Sequence, residues 1–334
     1  MQQPPNTETL AAPRGAAPAT ATSLWAMLKQ SPAFFPLLGL LLVSAAMAAT
    51  TDHFFSADNL VNIARQVSIN AIIAVGMTCA ILSGGIDLSV GSVMALTGTL
   101  TAGLMVAGLP PGLAIAAGLA VGIAFGVGNG FFVAYANMPP IIVTLATMGI
   151  ARGLALLYTG GYPINDLPDW FEFFGRGSVL GVQTPILVML LVFLIAYVLL
   201  DHTPLGRYIY AIGGNEEATR LSGVRVARYK LLVYAISGGT AAIAGLVLTS
   251  RLMSGQPNAG IGFELDAIAA VVMGGTAITG GRGSIVGTLI GAVMLGVLNN
   301  GLNMMGVSPY LQNIIKGVII LLAIYISRNS SKRA

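Results

Sequence analysis

The sequence predicts an all-α fold, a polytopic membrane helical bundle with about ten transmembrane helices. Hydrophobic residues fill 55% of the 334 positions and charged residues only 8%, whereas soluble domains devote about a quarter of their residues to charge. Runs of about 17 to 22 mainly apolar residues, long enough for a helix to cross the hydrocarbon core, recur along the chain. Helices satisfy their own backbone groups in lipid. The predicted spans are 34–50, 67–83, 88–108, 112–135, 140–158, 184–200, 231–250, 266–280, 285–305 and 310–327.

The N-terminal segment differs from the rest of the chain. Residues 1–30 are rich in Ala, Pro and Thr, a composition that buries too little apolar area to fold, so we expect a disordered cytoplasmic tail. Residues 31–334 then form a single transmembrane domain. The first apolar run is either a retained helix or a cleaved signal peptide, and both place the following loop outside.

The distribution of charge predicts the topology. Five basic residues lie in the loop 201–230, and the positive-inside rule assigns this loop and both termini to the cytoplasm. The loop 159–184 then falls outside, and it carries Asp166, Asp169 and Glu172. Basic residues lie at span ends and form no single patch, so the net charge of +4 does not indicate a nucleic-acid partner.

The segment Ser83–Ser89 interrupts the apolar pattern with two glycines and one acid, Asp87. Asp87 can act as an N-cap, accepting from the amide of Ser89 or Val90. A break at membrane depth can also line a solute pathway, because irregular backbone survives there only beside protein or water. The two interpretations are compatible, and both stay open.

Amide side chains occur in otherwise apolar spans. Asn299 and Asn303 lie one turn apart on one helix face, with Asn300 between them, and Asn70 lies in the second span. Amides in lipid need hydrogen-bond partners, which are either neighbouring helices or a neutral polyhydroxylated solute. Asn70, Asp87, Asn299 and Asn303 are the candidates for a polar pathway.

A short helix is predicted within the loop 201–230. Asn215 can cap it, and Glu216 and Glu217 suit its positive end. A helix of two turns is marginal in water, so this segment is expected to dock on a partner protein or on the membrane surface. The partner is favoured, because the segment lacks a broad apolar stripe. Its residues are Gly213, Gly214, Asn215, Glu216, Glu217, Ala218, Thr219, Arg220, Leu221, Ser222 and Gly223.

Motifs for chemistry are absent from the sequence. None of the four lysines follows a glycine, so no phosphate-binding loop of the Gly-Lys type exists, and neither His-Glu-x-x-His nor Gly-x-Ser-x-Gly occurs. One cysteine, Cys79, excludes an intrachain disulfide. We therefore expect no enzyme activity, no metal and no cofactor bound by this chain.

Several of these motifs resemble the permease subunits of bacterial ribose-type monosaccharide ABC importers, in a resemblance that runs from about residue 59 to residue 327. It is carried by Gln66–Ala71, Ser83–Ser92, Gly206–Ala211, Gly213–Gly223, Glu264–Val272 and Asn299–Asn303. The resemblance implies a homodimeric permease of the type II-like architecture in the bacterial inner membrane. It also implies a cytoplasmic ABC ATPase that binds ATP and Mg, and a periplasmic sugar-binding protein.

The resemblance implies that the segment 213–223 is the coupling helix that docks in the ATPase. The acidic outer loop, with Asp166, Asp169 and Glu172, is a candidate contact for the binding protein, and a merely solvated loop is the alternative. D-ribose is the favoured solute. An ion-coupled secondary sugar transporter is the alternative, in which Asp87, Glu264 or Asp266 would be the coupling carboxylate.

Overall fold

The structure, a computed structural model, describes residues 34–51 and 53–331. The tail predicted for residues 1–30 lies outside the described residues. The described fold is all-α apart from one two-stranded hairpin, Ser178–Val179 paired with Val182–Gln183. The helices are α1 Phe34–Thr50, α2 Ala57–Leu82, α3 Val90–Val106, α4 Pro111–Ala134, α5 Pro140–Thr159, α6 Phe173–Arg176, α7 Thr184–His202, α8 Pro204–Gly214, α9 Glu216–Leu221, α10 Val226–Leu252, α11 Phe263–Met273, α12 Ile285–Met304 and α13 Pro309–Ser331.

Each predicted span overlaps a helix, but the number of crossings is only partly supported. Six of the described helices are long and apolar enough to cross a membrane, namely α2, α4, α5, α7, α10 and α12. Helices α1 and α3 are apolar but have 17 residues each. The count of about ten therefore stays a prediction.

Two predicted boundaries were wrong. Helix α2 begins at Ala57, ten residues before the predicted span, because Ser56 caps it by accepting from the Asn59 amide at 3.3 Å. Helix α11 ends at Met273, although the predicted span continued to residue 280. Its 11 residues extend about 16 Å, which is too short to cross a bilayer alone.

The interior of the bundle is built on α2 and α10. Helix α2 is buried almost continuously from Val67 to Leu82, and α10 packs against α2, α3 and α4. Close packing of α4 on α10 depends on small residues, since a Cβ at Gly126 would lie within about 3.0 Å of the Tyr234 and Ala235 backbone. By contrast, α7 exposes Leu190, Leu191, Leu194 and Ile195, an outward apolar face that suits lipid.

Candidate substrate pathway

A polar cavity of about 280 Å³ lies between α2, α10, α11, α12 and α13. Its walls combine apolar side chains with amides and charged groups, as solute sites usually do. The polar residues that line it are Gln66, Asn70, Arg251, Asp266, Asn299, Asn303, Gln312 and Lys316.

Helical spacing explains how two pairs of amides reach this cavity. Gln66 and Asn70 lie four residues apart on α2, and Asn299 and Asn303 lie four residues apart on α12. Residues at this spacing share one helix face. Three of the four predicted pathway residues are thus brought together, whereas Asp87 lies elsewhere.

The cavity wall contains a buried ion pair. The Lys316 ammonium lies 3.1 Å from Oδ1 of Asp266 and 3.2 Å from Oδ2, and the two side chains are 20% and 12% exposed. Nδ2 of Asn70 donates to Oδ2 of Asp266 at 3.4 Å. A charge removed from water needs such partners. The ion pair and the bond from Asn70 together join α2, α11 and α13 at the cavity.

Two amide oxygens in the cavity wall are available to accept hydrogen bonds. Oδ1 of Asn70 and Oδ1 of Asn299 are buried without a hydrogen-bond partner among the described residues. Oδ1 of Asn303, by contrast, accepts from Nε2 of Gln312 at 2.8 Å. Buried acceptors left open are costly, and a polyhydroxylated solute would supply the missing donors.

Three lining residues were missed from the sequence: Arg251 at the end of α10, Phe263 at the start of α11, and Gln312 on α13. Each lies near a helix end, where polar and aromatic residues are common, so the sequence did not mark them as cavity residues. Each of the charged residues Asp266 and Lys316 needs a partner in the membrane, but the sequence did not predict that they pair with each other.

Asp87 lies in a separate, buried polar network. Its Oδ1 accepts from the Ser89 amide at 3.0 Å and from the Ser89 hydroxyl at 2.6 Å, and Nδ2 of Asn129 donates to that hydroxyl at 2.9 Å. The prediction that Asp87 accepts from the Ser89 amide is confirmed, but the prediction that Asp87 is the N-cap was wrong, because α3 begins at Val90 and Ser89 is its N-cap residue. Its Oδ2 has no hydrogen-bond partner in the described part of the chain. The residue stabilises the turn between α2 and α3.

Two substitutions at Asp87 distinguish its hydrogen bonds with Ser89 from its negative charge. Asp87→Asn keeps an oxygen acceptor for Ser89, so we expect stability close to that of the native protein. Asp87→Leu leaves two buried donors unpaired, which costs about 1 to 3 kcal/mol. Thermal unfolding in detergent measures both variants. Equal thermal midpoints for Asp87→Asn and Asp87→Leu would show that the hydrogen bonds from Ser89 do not stabilise the protein.

The short helix predicted in the loop 201–230 is present as α9. Oδ1 of Asn215 accepts from the Ala218 amide at 2.9 Å, as predicted for the cap. Lys230 pairs with Glu216, and Arg220 pairs with Glu217. The hydrogen bond to Glu217 and the charge of its carboxylate raise the pKa of Arg220. Leu221 is 79% exposed at the end of the helix.

The acidic residues of the loop 159–184 are spread over its surface. Asp166 and Asp169 are exposed, and Glu172 pairs with Arg176 at 2.9 Å. An antiparallel bridge between Ile164 and Gly255 ties this loop to the segment after α10. The loop therefore presents two exposed carboxylates without an ion-pair partner among the described residues.

The model of the family described as the branched-chain amino acid transport system / permease component matches residues 59–324. This chain belongs to that permease family. The ribose import permease protein RbsC of Bacillus subtilis (strain 168) is 52% identical over 298 residues, which cover 89% of this chain and 92% of the relative. Its counterpart in Escherichia coli (strain K12) is 50% identical over 309 residues, covering 91% and 95%.

A third relative is more distant. The D-allose transport system permease protein AlsC of Escherichia coli (strain K12) is 39% identical over 293 residues, which cover 87% of this chain and 90% of that one. No solved structure matches significantly. The resemblance to sugar permeases is confirmed. The chain is a multi-pass membrane permease of a transport system.

Proposed function

We propose that this permease translocates D-ribose as the membrane subunit of an ATP-driven importer. The observation that carries the proposal is the 50 to 52% identity to ribose import permeases over about nine tenths of both chains. The D-allose relative is 39% identical, which favours ribose over allose. The polar cavity agrees, because its amides are neutral donors and acceptors suited to sugar hydroxyls.

The proposed assembly contains two copies of this chain, a cytoplasmic ABC ATPase and a periplasmic ribose-binding protein. ATP and Mg bind to the ATPase, and this chain binds no cofactor. The permease lies in the bacterial inner membrane with both termini cytoplasmic and about ten spans in a type II-like arrangement. A charge distribution that places the basic loop 201–230 inside and the acidic loop 159–184 outside supports this topology.

The cavity residues would hold the sugar during translocation. Asn70 and Asn299 offer open acceptors, and Asn303 contributes through its bond to Gln312. The Asp266–Lys316 pair joins α11 to α13, and the bond from Asn70 adds α2. Asp87 shapes the turn between α2 and α3 and is proposed to act on the pathway through that turn. Helix α9 would dock in the ATPase, and Asp166, Asp169 and Glu172 would face the binding protein.

Reconstitution tests the proposed function. The permease, its ATPase and the ribose-loaded binding protein, placed together in proteoliposomes, should accumulate labelled ribose only when ATP is supplied. Vesicles with the permease alone and an imposed proton or sodium gradient are the matched arm. Uptake in that second arm would establish the ion-coupled transporter instead, and uptake of another sugar in preference to ribose would overturn the substrate.

The proposed role of α9 has its own test. Glu216→Ala, Glu217→Ala and Arg220→Ala together remove exposed charges whose ion pairs contribute little to stability. We expect the variant to keep its thermal midpoint and to lose co-purification with the ATPase. Arg176→Ala, which breaks the exposed pair with Glu172, is the matched control and should leave co-purification unchanged. A triple variant that still holds the ATPase contradicts the assignment.

A further inference from the structure

Three backbone segments meet at one point without intervening side chains. A Cβ on Gly213, at the end of α8, would lie within 3.0 Å of the Leu82 carbonyl at the end of α2 and of the Gly281 amide. The Gly281 amide donates to that same Leu82 carbonyl at 3.0 Å. Gly281 has φ +73°, a conformation that side chains rarely adopt. We call Leu82, Gly213, Gly280 and Gly281 the glycine junction.

Neighbouring contacts reinforce the glycine junction. A Cβ on Gly280 would lie about 3 Å from the Gly84 amide and from Cα of Gly213. The hydroxyl of Tyr210, on α8, donates to the Gly283 carbonyl at 3.1 Å. Helix α8 is therefore held against both the end of α2 and the loop 274–284.

Two of these segments, α2 and the loop 274–284, continue into walls of the polar cavity. Helix α2 carries Asn70, which precedes Leu82 by twelve residues, about 18 Å along the helix. The loop 274–284 joins α11, which carries Asp266, to α12, which carries Asn299. The junction thus connects the α8–α9 segment to three of the five helices that line the cavity.

Backbone contact makes this connection stiff. Side chains absorb small movements by changing rotamers, but Gly213 and Gly281 have none to change, so a displacement of α8 must move the backbones it touches. Asn215, which caps α9, follows Gly213 by two residues. A displacement of α9 therefore reaches the end of α2 through two peptide units and one backbone contact.

We propose that the glycine junction transmits the movement of α9 to the helices of the polar cavity, which makes Gly213 and Gly281 positioning residues for translocation. The proposal rests on the proposed function, because α9 is loaded only if an ATPase docks there. Widening the junction by one methyl group should uncouple ATP hydrolysis from sugar movement while the cavity residues themselves stay unchanged.

The test measures labelled ribose transported per ATP hydrolysed in proteoliposomes with the ATPase and the ribose-loaded binding protein. Gly213→Ala should lower this ratio by about fivefold or more, the scale of ordinary allosteric coupling. Gly128→Ala, whose Cβ meets nothing within 4 Å, should leave the ratio unchanged. Gly126→Ala is equally crowded but lies away from the junction, so it should lower the yield of folded protein and leave the ratio intact.

A native ratio in Gly213→Ala, or a ratio lowered as much in Gly126→Ala, overturns the proposal. If Gly213→Ala does not fold, Tyr210→Phe decides, because it removes only the hydroxyl that bonds to Gly283; an unchanged ratio there also overturns it. Native protein that fails to move ribose counts against the proposed function. In that case the glycine junction is tested by ATP hydrolysis instead. Gly213→Ala and Tyr210→Phe should both reduce the stimulation of ATP hydrolysis by the binding protein.

Discussion

Lys316→Met is expected to destabilise the protein by about 3 kcal/mol or more, because it leaves the Asp266 carboxylate buried without its cation. The amide of Asn70 at 3.4 Å would be the only hydrogen-bond donor that remains to that carboxylate among the described residues. Ribose uptake should fall as well, since Lys316 and Asp266 both line the polar cavity. Thermal unfolding in detergent and uptake in proteoliposomes measure the two effects.

A double variant separates lost charge pairing from lost packing. Asp266→Asn in the Lys316→Met background removes the unpaired charge, so the double variant should be more stable than Lys316→Met alone. Lys230→Met is the matched control, because its partner Glu216 is 53% exposed and the pair contributes little. Strictly additive effects of the two cavity substitutions would contradict a coupled ion pair.

Asn299→Leu should reduce ribose uptake by about tenfold to a hundredfold. The substitution removes a buried acceptor, without a partner among the described residues, from a side chain that lines the cavity. A sugar hydroxyl that loses this acceptor stays unpaired in a site away from water, at about 1 to 3 kcal/mol, and about 1.4 kcal/mol corresponds to a factor of ten. Stability should not fall, because Oδ1 makes no hydrogen bond within the described protein.

The adjacent residue supplies a matched control. Asn300 is also buried on α12, but its Nδ2 donates to Oδ1 of Asn59 at 2.9 Å and it does not line the cavity. Asn300→Leu should lower stability by about 1 to 2 kcal/mol and leave uptake per folded molecule unchanged. Equal uptake by Asn299→Leu and Asn300→Leu would mean that the cavity is not the solute pathway.

The sequence by itself determined the features that depend on neighbouring residues. Apolar runs predicted where helices lie, the glycines and acid of Ser83–Ser89 predicted the interruption between α2 and α3, and Asn215 predicted the start of α9. Hydropathy, capping and helical spacing act within a few turns, so they can be read from the chain in order. The shared face of Asn299 and Asn303 follows from spacing alone.

Only the tertiary structure decided which of these features meet. Asn70 and Asp266 are 196 residues apart, and Lys316 lies 50 residues beyond Asp266, so no local pattern predicts their contact. Asp87 is a polar residue among apolar spans, like the other pathway candidates, yet helix packing placed it outside the cavity and brought Asn129 to its partner Ser89. Helix packing depends on the shapes of whole surfaces, and a contact between distant helices follows from their mutual fit rather than from either sequence segment.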